Sequence, residues 1–126
     1  MTILLADDNR SSRELMREIL EASGHLIVEA ANGRDALHLI RQNQPELVFL
    51  DLQMPILDGF GVLRELRADV RFCRLPVVAV TATAMLGDRE RAIAAGFDSY
   101  IAKPISLGEV REQVKLLSSR DSYLDR

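Results

Sequence analysis

Acidic residues follow two short apolar runs of the sequence, in positions where they could act together. Asp7 and Asp8 come directly after the run Thr2 to Ala6, and Asp51 closes the run that begins at Leu47. An unbroken apolar run is typical of a strand that is buried on both faces of a sheet. Because ligands bind at the carboxyl ends of strands in open parallel sheets, Asp51 is a candidate ligand, nucleophile or helix cap.

Three carboxylates in one crevice repel one another, and burial makes their charged forms still more costly. A positive group is therefore required beside them. Oxygen ligands with room for water suit Mg²⁺, which usually binds one or two carboxylates together with phosphate oxygens. Lys103 and Thr81 follow two further apolar runs and can add an ammonium and a hydroxyl. Together these groups predict phosphoryl transfer to Asp51.

Each of these residues also has an ordinary structural interpretation when it is taken alone. Asp7 and Asp8 suit a helix-cap pair about as well as they suit a metal site. A lone Asp51 or Lys103 is more often a solvated charge at a loop edge, and a lone Thr81 is more often a plain strand residue. Their joint position at four strand ends favours the chemical interpretation.

Alternating strand and helix patterns bring these residues to one edge of a sheet. Apolar runs predict five strands, which cover Thr2 to Ala6, His25 to Ala30, Leu47 to Asp51, Val77 to Val80 and Phe97 to Ala102. Apolar spacings of three and four between them predict five helices. This alternation predicts a doubly wound α/β fold, with helices on both faces of a parallel sheet in the flavodoxin-like order 2-1-3-4-5.

The helical spacing also predicts which side chains point inward and where the helices begin. Asn9, Ser11 or Ser12 can cap the first helix, and Ser106 can cap the last. The predicted inward positions are Leu15, Met16, Ile19, Leu20, Ala36, Leu37, Leu39, Ile40, Val62, Leu63, Leu66, Ala92, Ile93, Ala95, Leu107, Val110, Val114 and Leu117.

Length and composition are those of one soluble domain. The 126 residues are 48% hydrophobic and 28% charged, and no apolar run approaches the roughly 20 residues of a membrane span. The first residues turn acidic without a basic flank, which argues against a secretory signal and predicts a cytoplasmic location. Because Cys73 is the one cysteine of the sequence, no internal disulfide is expected, and its small side chain is expected to be half-buried. The net charge of -3, with signs intermixed, argues against direct nucleic-acid binding.

The motifs at the strand ends resemble those of a response-regulator receiver domain, from Thr2 to about Leu117. They are the acidic pair Asp7-Asp8, Asp-Leu-Gln-Met-Pro-Ile-Leu-Asp-Gly from Asp51, Val-Thr-Ala around Thr81, and Tyr-Ile-Ala-Lys-Pro from Tyr100. The segments 84–91 and 103–105 resemble receivers of hybrid kinases and stand-alone relay proteins. A receiver over residues 1–118 is expected, followed by a polar tail or the end of the last helix over 119–126.

The resemblance implies a role for each acidic residue. Asp51 accepts a phosphoryl group from a phosphohistidine. Asp8, Asp51 and the backbone carbonyl of Gln53 bind Mg²⁺ directly, whereas Asp7 acts through water. The side chains of Gln53 and Thr83 tune hydrolysis of the phosphoryl group.

It also implies a switch. Lys103 holds a phosphoryl oxygen, Thr81 moves to another on activation, and Tyr100 swings inward behind it. The peptide bond between Lys103 and Pro104 is expected to be cis. The partners implied are a histidine kinase or histidine phosphotransfer protein, and an effector at the face of helix 4, strand 5 and helix 5. Neither nucleic acid nor membrane is expected as a partner, and the chain is expected to be a monomer or weak dimer.

Two other functions remain as alternatives. A phosphorylation-independent binding module of the same fold would be expected to lack the acidic pair, the acceptor or the lysine, and this chain retains all of them. An enzyme that hydrolyses external phosphoesters needs a general acid for the leaving group. Haloacid-dehalogenase-like phosphatases have an Asp at the position of Gln53, so we expect self-directed, Mg²⁺-dependent phosphotransfer and dephosphorylation instead.

Overall fold

The structure, a computed structural model, describes residues 1–82 and 87–118. In these residues the fold is built on a single parallel sheet. Its strands lie in the order β2-β1-β3-β4-β5. The bounds are β1 (Thr2–Ala6), β2 (Leu26–Ala30), β3 (Leu47–Asp51), β4 (Val77–Thr81) and β5 (Ser99–Ala102). The predicted doubly wound α/β fold and its strand order are confirmed.

The helices alternate with the strands along the chain. They are α1 (Arg10–Ala22), α2 (Gly33–Asn43), α3 (Gly59–Ala68), α4 (Asp88–Ala95) and α5 (Leu107–Ser118). The Asn9 side chain accepts a hydrogen bond from the backbone N–H of Ser12, so Asn9 is the N-cap of α1. The helix-cap interpretation of Asp7 and Asp8 is therefore wrong. Ser106 caps α5 as predicted, because its hydroxyl accepts the Glu109 N–H.

Two apolar layers enclose the sheet, as unbroken apolar strands require. One layer packs α2, α3 and α4 against the face that carries Leu4 and Leu50. The other packs α1 and α5 against the face that carries Leu5 and Phe49. Phe49 is fully buried, and burying such a side chain contributes about 1.5 to 3 kcal/mol. The packed sheet is thus a rigid support for the residues at its edge.

Four of the predicted inward positions are exposed instead. Leu15 is 46% exposed, and Ile93 and Leu107 are each 45% exposed; Ala95 is also exposed. In α1, α4 and α5 the buried stripe is narrower than the apolar pattern, and in α4 only Ala92 is buried. The remaining apolar side chains lie on the flanks of their helices, where they meet solvent.

Two local predictions also differ from the structure. Cys73 is exposed rather than half-buried, because the turn before β4 turns it outward while its neighbours Phe72 and Leu75 enter the core. The fifth strand begins at Ser99 rather than at Phe97. The Phe97 N–H donates to the Ala92 carbonyl after a left-handed Gly96, so this residue ends α4 instead of joining the sheet.

The connection after β5 contains the expected cis peptide bond between Lys103 and Pro104. The predicted role of Thr83, the segment 84–86 and the predicted tail 119–126 lie outside the described residues.

Candidate functional site

Four predicted site residues lie at the carboxyl ends of neighbouring strands. Asp7 follows β1, Asp51 ends β3, Thr81 ends β4 and Lys103 follows β5. Asp7, Asp51 and Thr81 are 3%, 5% and 2% exposed. Buried polar groups must be paired, because an unpaired one loses its hydration without compensation.

The ammonium of Lys103 joins the two buried carboxylates. Its Nζ lies 2.8 Å from Asp7 Oδ2 and 3.1 Å from Asp51 Oδ2. Burial is the largest single influence on the pKa of Lys103 and lowers it, but the hydrogen bonds to Asp7 and Asp51 outweigh burial, and the net pKa is raised. Lys103 is therefore a permanent positive charge within the site at neutral pH.

The second oxygen of each buried carboxylate is bound to a backbone amide. Asp7 Oδ1 accepts the N–H of Asn9, and Asp51 Oδ1 accepts the N–H of Gln53, each at 2.9 Å. Both bonds close an Asx-type turn directly after a strand. The two loops thus hold their carboxylates in the same way, with one oxygen on the backbone and the other on Lys103.

The environment of Asp51 makes it harder to ionise than an ordinary aspartate. Burial is the main cause, and the charge of Asp7 adds to it, whereas the Gln53 amide and Lys103 oppose it. The resulting pKa of Asp51 is about 6. Asp51 is therefore mostly a carboxylate at neutral pH, in a state that can attack an electrophile.

Asp8 completes an acidic cluster with an open side. One carboxylate oxygen from each of Asp7, Asp8 and Asp51 lies within 4.8 Å of the others. Asp7 and Asp51 are buried, whereas Asp8 is exposed. These three carboxylates outnumber the one ammonium beside them. Hard oxygen ligands with access to water fit a partly hydrated divalent cation such as Mg²⁺.

The start of α3 packs tightly against the backbone of Asp51. A Cβ added at Gly59 would lie 2.5 Å from the Asp51 carbonyl oxygen and 2.8 Å from the Leu52 Cα. The Gly59 N–H also donates to the Leu52 carbonyl at 3.1 Å. Gly59 is the last residue of the motif that begins at Asp51, and this close approach explains why the position carries no side chain.

Thr81 lies at the edge of this site, and Tyr100 lies further along, next to α4. The Lys103 N–H donates to the Thr81 carbonyl at 2.8 Å, which ties the end of β4 to the lysine. The Tyr100 ring is half-buried and packs against the layer of α2, α3 and α4. Burial raises the pKa of Tyr100, and the charges of Asp88 and Glu90 in α4 raise it further. The structure therefore brings Tyr100 to α4 and not to the carboxylates.

Arg13 of α1 also contacts this site, and the sequence patterns do not predict it. Its Nη1 donates to the backbone carbonyl of Asp7 at 2.8 Å. No spacing rule predicts this contact, because it depends on how far a long side chain reaches back beyond the start of its own helix.

Comparison with known proteins agrees with this architecture. The family model for the response regulator receiver domain matches residues 3–115. The chain belongs to this family. The receiver is 39% identical over 114 residues to the polar-differentiation response regulator DivK of Brucella anthropi, covering 90% of this chain and 93% of that protein. For DivK of Brucella ovis the identity is 38% over 114 residues, with the same coverage.

Solved structures give the same result. A putative response regulator from Chloroflexus aurantiacus superposes on the receiver with a TM-score of 0.90 at 28% identity, covering 94% of this chain and 98% of that chain. The receiver domain of the sensor histidine kinase PA1611 from Pseudomonas aeruginosa, with a magnesium ion coordinated in its active site cleft, has a TM-score of 0.84 at 32% identity and the same coverage. The receiver thus belongs to two-component signalling. In the described part of the chain, no helix is long and apolar enough to span a membrane.

Proposed function

We propose that Asp51 accepts a phosphoryl group from a phosphohistidine of a histidine kinase or histidine phosphotransfer protein. One observation carries this proposal: Lys103 Nζ lies 3.1 Å from Asp51 while it also binds Asp7. A carboxylate that is ionised at neutral pH thereby has a fixed cation beside it. This arrangement suits an acceptor of a charged group.

The transfer requires no further nucleophile. A carboxylate oxygen of Asp51 attacks the phosphorus atom, and the phosphorus–nitrogen bond of the donor breaks with its electron pair returning to the imidazole. The product is an acyl phosphate at Asp51. Lys103 can then move one hydrogen bond from Asp51 to a phosphoryl oxygen while it keeps its bond to Asp7.

Within this proposal, the acidic cluster binds Mg²⁺. Asp8, Asp51 and the Gln53 carbonyl would hold the ion directly, and Asp7 would act through water. The ion supplies positive charge against the phosphoryl oxygens. The magnesium in the cleft of the receiver of PA1611, which is 32% identical, supports this choice over other divalent cations.

The receiver acts on itself rather than on an external substrate. The exposed Gln53 borders a groove of about 330 Å³ that extends past Thr81 to Asp88 and Arg91 of α4. We propose that water reaches the acyl phosphate through this groove and hydrolyses it. The chain is then a signalling switch that undergoes Mg²⁺-dependent phosphotransfer and dephosphorylation, and we propose that it works in the cytoplasm.

Phosphorylation would be read at the face of α4, β5 and α5. The Thr81 hydroxyl gains a charge-assisted hydrogen bond by moving to the phosphoryl group, and Tyr100 follows into the space that it leaves. The apolar side chains of Ile93 and Leu107, exposed on α4 and α5, suit contact with an effector protein.

The test is incubation with acetyl phosphate, with and without Mg²⁺, followed by intact mass spectrometry. Wild type should gain one phosphoryl group only when Mg²⁺ is present, and Asp51→Asn should gain none. Asp58→Asn is the matched control, since it removes a nearby carboxylate and still leaves a good N-cap for α3. A phosphoryl adduct that persists in Asp51→Asn, or forms equally in excess chelator, would refute the proposal.

A further inference from the structure

Arg13 binds the peptide group that links the two acidic residues after β1. Its Nη1 donates to the Asp7 carbonyl oxygen at 2.8 Å, and its Nε donates to Glu29 Oε1 at 3.2 Å. The side chains of Arg13 and Glu29 are only 19% and 25% exposed. The Asp7 carbonyl belongs to the peptide plane shared by Asp7 and Asp8, so the guanidinium acts directly on the orientation of that plane.

Asp8 depends on this plane more than Asp7 does. Asp7 has a backbone bond from its N–H to the Ala30 carbonyl and side-chain bonds to Asn9 and Lys103. Among the described residues, the Asp8 carboxylate has no hydrogen-bond or ion-pair partner. The direction of the Asp8 carboxylate therefore depends on the orientation of the backbone that Arg13 binds.

Glu29 fixes Arg13 and balances its charge. This residue lies on the edge strand β2, opposite Leu5 of β1. It accepts a second bond from Arg17 Nη1 at 2.6 Å. The guanidinium of Arg13 is thus held from two sides, by Glu29 and by the Asp7 carbonyl, and these two contacts form the Arg13 clamp.

We propose that Arg13 is a positioning residue for the divalent cation, because its clamp turns the Asp8 carboxylate towards Asp51. The inference rests on the proposed magnesium site and goes beyond it. A role through charge alone and a positioning role predict opposite effects of removing Arg13 on the affinity for the cation. Removal of a nearby positive charge alone would strengthen cation binding, whereas release of the Asp7–Asp8 peptide weakens it.

The test compares Mg²⁺ dissociation constants by calorimetric titration of the full chain without phosphodonor. Arg13→Gln should raise the dissociation constant about tenfold, within the range typical of groups that orient metal ligands. Arg10→Gln is the matched control. Arg10 lies on the same helix, pairs with Glu14 and is 82% exposed, so the same change of charge there should shift the constant less than about twofold.

A measurement in metal-free buffer separates positioning from general damage. The Asn9 amide, bound to Asp7 in the folded chain, should exchange its hydrogen faster in Arg13→Gln, while the amides of β3 keep their wild-type rates. Arg13→Lys keeps the charge but cannot span both partners with its single ammonium, so it should resemble Arg13→Gln.

The possible failures are distinguishable. Arg13→Gln with a dissociation constant equal to or below that of wild type would overturn the inference and leave the proposed function standing. Equal acceleration of exchange at Asn9 and throughout β3 would also overturn it. A wild-type chain that does not bind Mg²⁺ at all would overturn the proposed site and this inference together.

Discussion

Lys103 lies closer to Asp7 than to the proposed acceptor, with Nζ 2.8 Å from Asp7 Oδ2 and 3.1 Å from Asp51 Oδ2. Asp7 therefore holds the lysine in place. If Asp51 accepts a phosphoryl group as proposed, its oxygens change partners while the bond between Asp7 and Lys103 can persist. The lysine then needs only to redirect one hydrogen bond.

Removal of the ammonium should leave two buried carboxylates without their cation. We expect Lys103→Met to lower the free energy of unfolding by about 2 to 4 kcal/mol in metal-free buffer, because uncompensated buried charge is costly. Urea denaturation with and without Mg²⁺ measures this. Mg²⁺ should restore part of the loss, since the ion supplies positive charge to the same cluster.

Lys115 provides the control for that experiment. It is exposed on α5, and Lys103 and Lys115 are the two lysines of the sequence. Lys115→Met should leave the free energy of unfolding nearly unchanged. If both substitutions had the same effect, the ion pairs of Lys103 would be irrelevant to stability.

Asp8 should be required for the stabilisation of the protein by Mg²⁺ but not for folding itself. Wild type should gain about 1 to 3 kcal/mol of stability when Mg²⁺ is well above its dissociation constant. Asp8→Ala should lose that gain, and it should be slightly more stable than wild type without metal because one repelling carboxylate is gone. Melting curves in chelator and in Mg²⁺ report both effects. A full Mg²⁺ shift in Asp8→Ala would mean that the ion binds elsewhere.

Stability without metal should depend on pH through Asp51. Its pKa is about 6 in the folded chain, against an ordinary value of 3.8, so the folded state binds this proton more tightly than the unfolded state does. The contribution of this proton to the stability of the fold is fully present at pH values below the ordinary pKa of aspartate, and it is lost as pH rises through about 6. The loss should reach about 2 to 3 kcal/mol by neutral pH.

The check is urea unfolding in chelator at several values between about pH 4 and pH 7. Asp51→Asn cannot ionise at this position, so the difference between the two proteins isolates the titration of Asp51. A wild-type slope that survives unchanged in Asp51→Asn would assign the effect to another group.

The switch should depend on the hydroxyl of Thr81. Thr81→Ala should still bind beryllofluoride at Asp51, yet lose most of the gain in affinity for an effector, a coupling of about 1 to 3 kcal/mol. Thr81→Ser is the matched variant, because it keeps the hydroxyl and should keep most of the gain. Affinities with and without beryllofluoride test this. An unchanged gain in Thr81→Ala would exclude Thr81 from the signal route.

The sequence predicts the fold well because strands and carboxylates carry separate, strong patterns. Apolar runs buried on both faces are visible as unbroken segments, and the residue that ends each run must lie at the carboxyl edge of a parallel sheet. These patterns predict that Asp7, Asp51, Thr81 and Lys103 lie at one edge of the sheet, and in the structure they do. The apolar runs along the sequence are enough to locate the ends of the strands, but they do not predict side-chain contacts.

Side-chain reach and helix orientation were beyond that reasoning. The contact of Arg13 with the Asp7 carbonyl depends on one rotamer of a long side chain. The exposure of Leu15, Ile93 and Leu107 depends on how each helix is rotated against the sheet. Apolar spacing predicts a stripe about a helix but not where the neighbouring elements stop covering it.

The central claim is that the phosphoryl group is carried by the carboxylate of Asp51, and borohydride trapping tests it most directly. The receiver is phosphorylated by a phosphohistidine donor in Mg²⁺, reduced with borohydride, which converts an aspartyl phosphate to homoserine, and sequenced by tandem mass spectrometry. We predict homoserine at position 51, and none when the donor or Mg²⁺ is omitted. Homoserine at position 7 or 8, or none at position 51 in a chain that carries phosphate, would contradict the account.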